Sequence, residues 1–228
     1  MKIKLLFAAL LLLPFTAQAS PEQDTKIYRA YFTQKFPSIK PLDEFGNGSY
    51  ALDQAARANW LEIEEFPPYE AGISKGETLW NAPFKNGKTY ASCLGNSPAI
   101  AGKYPHWDKA KGQVVTLVSA IQDCRKANGE EPLPYQKGAL ADLNAYIAFK
   151  SRGQKIKVVV PQDAGAQEAY EKGKQFYFAR RGQLNLSCAH CHFQYSGSHL
   201  RTEVLSPALG HATHWPVYRS DWGELGTL

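Results

Sequence analysis

The chain has 228 residues, of which 44% are hydrophobic and 21% are charged, a composition typical of globular proteins. Its formal net charge is +5. Without the first 19 residues, 24 basic and 21 acidic residues leave a net charge of +3. This small charge and the lack of any basic run exclude a nucleic-acid-binding protein. No later stretch is long and apolar enough to cross a bilayer, so no membrane span is expected.

The first 19 residues have the pattern of a secretory signal peptide. Lys2 and Lys4 form a basic start, an apolar run covers residues 5–13, and residues 17–19 read Ala-Gln-Ala, a small-x-small cleavage site. We therefore expect the mature protein in the periplasm, where haem c is attached and disulfides persist.

Residues 20–69 are predicted to form an N-terminal extension that carries no chemical motif. A weak helical period of apolar residues covers 22–36. Residues 51–65 have a clearer apolar face, and Pro67 and Pro68 end that helix. We expect the extension to cover the unit that follows it.

The rest of the chain is predicted to be mainly helical. Residues 155–160 are expected to be strand-like or extended, inside a linker over residues 154–164. Apolar periodicity with glycine or proline boundaries predicts four helices, over residues 70–80, 114–126, 140–152 and 167–181.

Residues 188–192 read Cys-Ala-His-Cys-His, which is the C-x-x-C-H attachment motif of a c-type haem. The thiols of Cys188 and Cys191 add across the two haem vinyl groups and form thioethers. The imidazole of His192 then lies against the haem face and supplies a nitrogen to iron as the proximal ligand. One covalent haem c is therefore predicted.

Two alternative chemistries share this cysteine spacing and stay open. A thioredoxin-like redox pair is one, and half of a zinc site is the second. A zinc site needs a second pair of ligands, which His190 and His199 would supply only in an unusual arrangement. In an exported protein the haem interpretation is favoured.

The remaining cysteines predict a disulfide, and the methionine count excludes one kind of iron ligand. Cys93 and Cys124 are left over, and an even remainder in an exported protein predicts a disulfide. The single methionine is Met1, so methionine ligation of the iron is excluded in the mature protein. Four histidines near the motif are expected to be loop or haem-rim residues rather than distal ligands: His190, His199, His211 and His214.

Four short segments recur in the same order, which predicts two related helical units. In the first copy, residues 94–97 stand where the rest of a C-x-x-C-H motif would be, so that copy lacks a haem attachment site. The second copy ends before any counterpart of the 114–126 helix. The matching pairs are residues 76–80 with 173–177, 91–93 with 186–188, 98–100 with 207–209, and 112–117 with 223–228.

Five segments, spread over most of the mature chain, carry a family resemblance. They are residues 65–70 (Glu-Phe-Pro-Pro-Tyr-Glu), 76–80 (Gly-Glu-Thr-Leu-Trp), 146–153 (Tyr-Ile-Ala-Phe-Lys-Ser-Arg-Gly), 177–192 and 214–219 (His-Trp-Pro-Val-Tyr-Arg). The segment 177–192 ends with the haem motif. In these segments the chain resembles SoxA, the catalytic subunit family of the SoxAX cytochromes of thiosulfate oxidation. The long run over 177–192 and the Pro-Val-Tyr-Arg segment distinguish this family from other cytochromes c.

The resemblance implies a mainly α fold with two cytochrome c-like domains in tandem, the second incomplete, after an N-terminal extension. It also implies a c-type haem subunit of a periplasmic L-cysteine S-thiosulfotransferase, with electrons leaving through haem. A SoxX-like cytochrome subunit, a SoxYZ-like sulfur carrier and thiosulfate are the implied partners. The alternative is a periplasmic electron-transfer cytochrome c without sulfur-transfer activity. The expected divisions are a signal peptide (1–19), the extension (20–69), a domain without haem (70–153), a linker (154–164) and a haem-binding domain (165–228).

In the family, a cysteine further along the second domain binds the haem iron and carries the substrate adduct. The repeat places its counterpart beyond Leu228, so no catalytic residue is assigned. We therefore expect a truncated chain that binds haem but does not turn over thiosulfate. Four arginines are candidates for contacts with haem propionates or with an oxyanion such as thiosulfate: Arg180, Arg181, Arg201 and Arg219.

Overall fold

The computed structural model describes residues 20–227, so the predicted signal peptide lies outside the described residues. Within this range the chain is mainly helical, which confirms the predicted fold class. Its α-helices are α1 (Pro21–Lys35), α2 (Gln54–Ile63), α3 (Glu70–Asn81), α4 (Ala91–Leu94), α5 (Leu117–Ala127), α6 (Ala139–Lys150) and α7 (Ala164–Phe178). Shorter helical segments are the 3-10 helices Leu42–Ala51, Ala101–Lys103 and His211–His214, and the π-helix His190–Gln194.

Side-chain caps determine where several helices begin. At α1, the Ser20 hydroxyl accepts a hydrogen bond from the Gln23 amide, and the Gln23 side chain accepts one from the Ser20 amide. The N-cap side chains of α2, α5 and α7 also accept hydrogen bonds from backbone amides of the first turn. These residues are Asp53, Thr116 and Asp163 respectively. These caps satisfy backbone donors that the first helical turn leaves without a partner.

The four helices predicted after residue 69 are present, with ends shifted by at most three residues. The helix predicted over 114–126 begins late, at Leu117, because residues 113–115 pair as a strand. Residues 155–160 form neither a strand nor a helix, and the Lys157 amide donates to the Gly102 carbonyl.

Short antiparallel hairpins, which the sequence did not predict, complete the described structure. Gly112 and Gly223 occupy the same position in the first and last hairpin turns, with φ of 61° and 67°. The repeat between residues 112–117 and 223–228 therefore corresponds to the second strand of each hairpin, as far as Thr227. The pairs are β1 (His106–Asp108) with β2 (Gln113–Val115), β3 (His199–Leu200) with β4 (Glu203–Val204), and β5 (Val217–Arg219) with β6 (Glu224–Gly226).

The main hydrophobic core lies between α3, α5 and α6. Ile121, Leu140, Leu143 and Ile147 are fully buried there, and Trp80 packs on them from α3. Burial of each such side chain contributes roughly 1.5–3 kcal/mol to folding. This core belongs to the half of the chain without a haem motif.

Close contact between α3 and α6 depends on Gly76. A Cβ atom at this position would lie 2.7 Å from the backbone carbonyl carbon of Asp142 and 2.8 Å from Cβ of Tyr146. Any larger residue would push the two helices apart. Gly173, the repeat counterpart in α7, has no atom within 4 Å of such a Cβ among the described residues.

We expect Gly76→Ala to lower the free energy of unfolding by about 2 kcal/mol, because overpacking a helix crossing typically costs 1–3 kcal/mol. Gly173→Ala is the matched control. It should be neutral or raise stability by up to about 1 kcal/mol, since alanine is the better helix former. Denaturant unfolding of both variants measures the difference. Equal effects of the two substitutions would contradict the close approach of α3 and α6 as the cause.

The N-terminal extension packs mainly on the haem-motif half of the chain, which corrects the expectation that it covers the unit directly after it. Phe32 and Phe45 are fully buried in a cluster that also contains Phe193. Along the same interface, Tyr170 of α7 donates to the Asp24 carboxylate at 3.0 Å. The expectation failed because the apolar period of α1 shows that one face is buried without showing which partner covers it.

The last hairpin connects the two halves. Leu225 of β6 is buried against Ala141 and Ala145 of α6. The Thr227 amide donates to the Gln136 carbonyl at 2.9 Å. Within residues 20–227, none of the helices combines the length and apolar character that crossing a bilayer requires.

Candidate haem site

The C-x-x-C-H motif lies on a short helical segment shortly after α7. The π-helix His190–Gln194 carries its second half. The thiols of Cys188 and Cys191 are both free and half-buried. Free and partly accessible thiols are what thioether formation with haem vinyl groups requires.

The ring of His192 is held in one orientation by the chain itself. Its Nδ1 lies 3.1 Å from the carbonyl oxygen of Ser206. A carbonyl only accepts, so Nδ1 carries the proton and donates it. The lone pair is therefore on Nε2, which leaves that nitrogen able to bind a metal.

His190, between the two cysteines, has both ring nitrogens engaged. Its Nε2 lies 3.0 Å from Nε of Arg180. Its Nδ1 lies 3.1 Å from the Ser187 amide nitrogen and 2.7 Å from the Ser187 hydroxyl. These contacts make His190 a bridge within the haem loop.

Two further histidines pack beside the motif. The ring of His211 lies 4.3 Å from that of His192, centroid to centroid, and His214 lies 5.3 Å beyond it. The Nε2–H of His214 donates to the Gly46 carbonyl at 3.0 Å. Burial, with a smaller effect of His192 and His214, lowers the pKa of His211 to about 4. Burial also lowers the pKa of His214. Both rings are therefore neutral packing groups at physiological pH.

The structure brings only one of the four candidate arginines, Arg180, to the motif. Arg181 stacks on the Phe176 ring, with its guanidinium carbon 3.5 Å from the ring centroid. Arg201 is in the β3–β4 turn, next to exposed His199. Arg219 lies between two indoles, with Trp215 and Trp222 at 5.2 and 5.3 Å. Propionate or oxyanion contacts of these arginines stay predictions.

A pocket of about 290 Å³ lies beside the motif, lined by Tyr31, Phe178, Ser187, Ala189, His190, Phe193 and Gln194. Large apolar side chains are exposed around the motif, with Phe176 63% and Leu184 81% accessible. An exposed apolar patch of this kind indicates a surface that something apolar covers.

The residues present fit a covalently attached haem c. Two thiols have the spacing for thioethers, and one imidazole presents a free Nε2. The adjoining pocket includes the aromatic rings of Tyr31, Phe178 and Phe193. In the first half of the chain the corresponding loop carries a disulfide instead, which joins Cys93 and Cys124 and confirms that prediction.

Sequence reasoning missed the groups that hold the motif from a distance. The carbonyl of Ser206 comes 14 residues after His192. Lys35 and Tyr31 contact Phe193 across more than 150 residues. The repeat between residues 98–100 and 207–209 marks the loop next to Ser206. No local pattern indicates the Lys35 contact, because it depends on the tertiary fold.

Comparison with known proteins finds relatives that match nearly all of the chain. A family model described as SoxA/TsdA, cytochrome c domain, matches residues 75–156, in the half without the haem motif. The SoxA subunit of an L-cysteine S-thiosulfotransferase from Allochromatium vinosum is 61% identical over 94% of this chain and 76% of its own length. The subunit of the same name from Chlorobaculum tepidum is 54% identical over 92% of this chain and 73% of its own length.

A solved structure gives the same result at the level of the fold. One chain of the SoxXA crystal structure from P. pantotrophus superposes with a TM-score of 0.64 at 27% identity, covering 77% of this chain and 66% of that one. Two SoxA subunits match more than nine-tenths of the chain, at 61% and 54% identity. The chain therefore belongs to the SoxA family.

Proposed function

We propose that this chain is the c-type haem subunit of a periplasmic L-cysteine S-thiosulfotransferase. The observation that carries the proposal is the arrangement of Cys188, Cys191 and His192, with Nε2 of the histidine free, in a chain 61% identical to a SoxA subunit of that name. One covalent haem per mature chain follows from the single C-x-x-C-H motif. Residues 70–153 and 165–228 are the two cytochrome c-like domains of this proposal.

The reaction joins thiosulfate to a cysteine thiol of a carrier protein. One S–S bond forms, the thiol loses its proton, and two electrons leave the sulfur atoms. Haem c, when bound, would take these two electrons one at a time and pass each to an external electron acceptor. The carrier in the proposal is SoxYZ-like, and a SoxX-like cytochrome is the subunit partner.

The residues of this chain orient the site and attract the anion. The Ser206 carbonyl fixes the ring of His192. Arg180 is exposed beside the motif and uses only Nε–H on His190. Its remaining guanidinium donors are a match for an oxyanion or a propionate. Periplasmic location is supported by the leader pattern in residues 1–19.

The proposal is tested with the haem-loaded chain in two forms: residues 1–228, and the same residues joined to the C-terminal segment of a SoxA relative that supplies the ligand cysteine. Each form is combined with a SoxX-like subunit, a SoxYZ-like carrier, thiosulfate and an electron acceptor. With the extended form, mass spectrometry of the carrier should show a thiosulfate adduct on its cysteine, and the acceptor should be reduced by two electrons per adduct. Residues 1–228 alone should give no adduct. A carrier whose cysteine is replaced by serine is the control. Haem reduction by added reductant, with no adduct under any condition, would favour the alternative of a plain electron-transfer cytochrome.

A further inference from the structure

The side chain of Lys35, in the last turn of α1, ends on the segment that carries the haem motif. Its ammonium donates to the carbonyl oxygens of Phe193 at 3.1 Å and Gln194 at 2.8 Å, and to the Ser196 hydroxyl at 3.1 Å. All three donors of the ammonium are used on neutral acceptors. Among the described residues, no carboxylate lies within salt-bridge distance of Lys35.

Tyr31, one helical turn earlier, contacts the same segment. Its ring stacks on Phe193 with centroids 4.0 Å apart and planes 8° apart, and its hydroxyl donates to the Phe193 carbonyl at 3.2 Å. Residues four apart lie on the same face of a helix, so Tyr31 and Lys35 act together. Phe193 follows His192 directly, so this face of α1 holds the residue next to the proximal ligand.

Of the acceptors beneath Lys35, the Ser196 hydroxyl depends on the ammonium most, because Gln194 is exposed and the Phe193 carbonyl also accepts from two hydroxyls. The last carbonyls of a helical segment have no partner within the segment, and a lysine is a favourable one. Ser196 is 3% exposed, so water does not readily replace the lost donors. A half-buried ammonium on such acceptors is less screened than a surface charge.

We propose that Lys35 and Tyr31 clamp the haem-attachment segment, and that the Lys35 charge raises the reduction potential of the haem. This inference rests on the proposed haem attachment at Cys188, Cys191 and His192. Reduction adds a negative charge to the haem, so a fixed positive charge nearby favours the reduced form. Lys35 is thus a positioning residue that acts through the peptide carrying His192.

The test compares variants of the haem-loaded chain by spectroelectrochemical titration and thermal unfolding. Lys35→Met removes the charge and the hydrogen bonds, Lys35→Gln keeps an amide donor without the charge, and Lys35→Arg keeps the charge. Lys26→Met is the matched control, because Lys26 is exposed on the same helix and makes no hydrogen bond to the motif among the described residues. Covalent haem content is measured for every variant.

We expect both neutral variants of Lys35 to shift the equilibrium against reduction at least about threefold, which is a fall of about 28 mV for a one-electron couple. Lys35→Arg and Lys26→Met should keep the original potential, and Lys35→Met should melt at a lower temperature than Lys26→Met. If Lys35→Met fails to accumulate with haem, the Lys35→Gln potential decides the charge assignment. Loss of haem from both neutral variants but not from Lys35→Arg also supports the clamp.

Two results would separate the proposed function from the role of Lys35. An unmodified chain without covalent haem would refute the proposed function itself. A chain with covalent haem whose potential and melting temperature are the same in Lys35→Gln, Lys35→Met and Lys26→Met would refute the role of Lys35 alone.

Discussion

Protein that carries Cys188→Ser and Cys191→Ser is expected to contain no covalently bound haem. Thioethers form when a thiol sulfur adds across a haem vinyl group, and a serine hydroxyl does not make that addition under the same conditions. Both thiols are free and partly accessible in the structure, as this chemistry requires. Haem staining of a denaturing gel should be positive for the original chain and negative for the double variant.

The chain contains its own control for this experiment. Cys93→Ser with Cys124→Ser removes the other two cysteines, which are bonded to each other outside the haem motif. This variant should keep its haem through denaturation. Haem that acid-acetone extracts from the original chain, or staining that survives loss of Cys188 and Cys191, would contradict covalent attachment at this motif.

The chemistry-bearing parts of the site were predictable because each depends on local spacing. Cys188, Cys191 and His192 are close in sequence, and the motif fixes their roles whatever the fold around them. The disulfide was predictable by counting, since two cysteines remained in an exported chain. One of the four repeat pairs, residues 112–117 with 223–228, falls on matching hairpin turns at Gly112 and Gly223.

The hairpins and the inter-element contacts were not predictable by the same reasoning. Strands of two or three residues are too short to show an alternating pattern. The burial of Phe32 against Phe193 depends on how the N-terminal extension folds back over the chain. A helical period shows that α1 has an apolar face, and only the tertiary structure shows that this face lies on the haem-motif segment.

The histidines beside the motif illustrate the same limit. Sequence proximity predicted that His211 and His214 lie in loops near the haem, and the structure places both in the 3-10 helix next to His192. Their neutral state depends on burial, which lowers the pKa of each ring. That burial comes partly from the 3-10 segment Leu42–Ala51, whose Gly46 carbonyl accepts from His214. A contact 168 residues away in sequence carries no local signal.

Removal of the Cys93–Cys124 disulfide is expected to cause the largest loss of stability among the point changes considered. The bridge spans 31 residues, and the chain-entropy model assigns roughly 3–4 kcal/mol to a loop of this length. Cys124 is only 3% exposed on α5, against the core that contains Ile121 and Leu140. The unfolded chain gains freedom without the bridge, while the folded core keeps the same packing.

The measurement is denaturant unfolding of Cys93→Ala with Cys124→Ala, followed by circular dichroism, in parallel with the original chain. Adding a thiol reductant should lower the stability of the original chain by about the same amount and leave the double variant unchanged. A thiol reductant cannot cleave thioethers, so the haem stays attached and the change in stability reports only the loss of the disulfide. A loss below about 1 kcal/mol, well under what the loop length implies, would show that the unfolded state is already compact around residues 93–124. In that case the first half of the chain would owe its stability to the packing of α3, α5 and α6 rather than to the bridge.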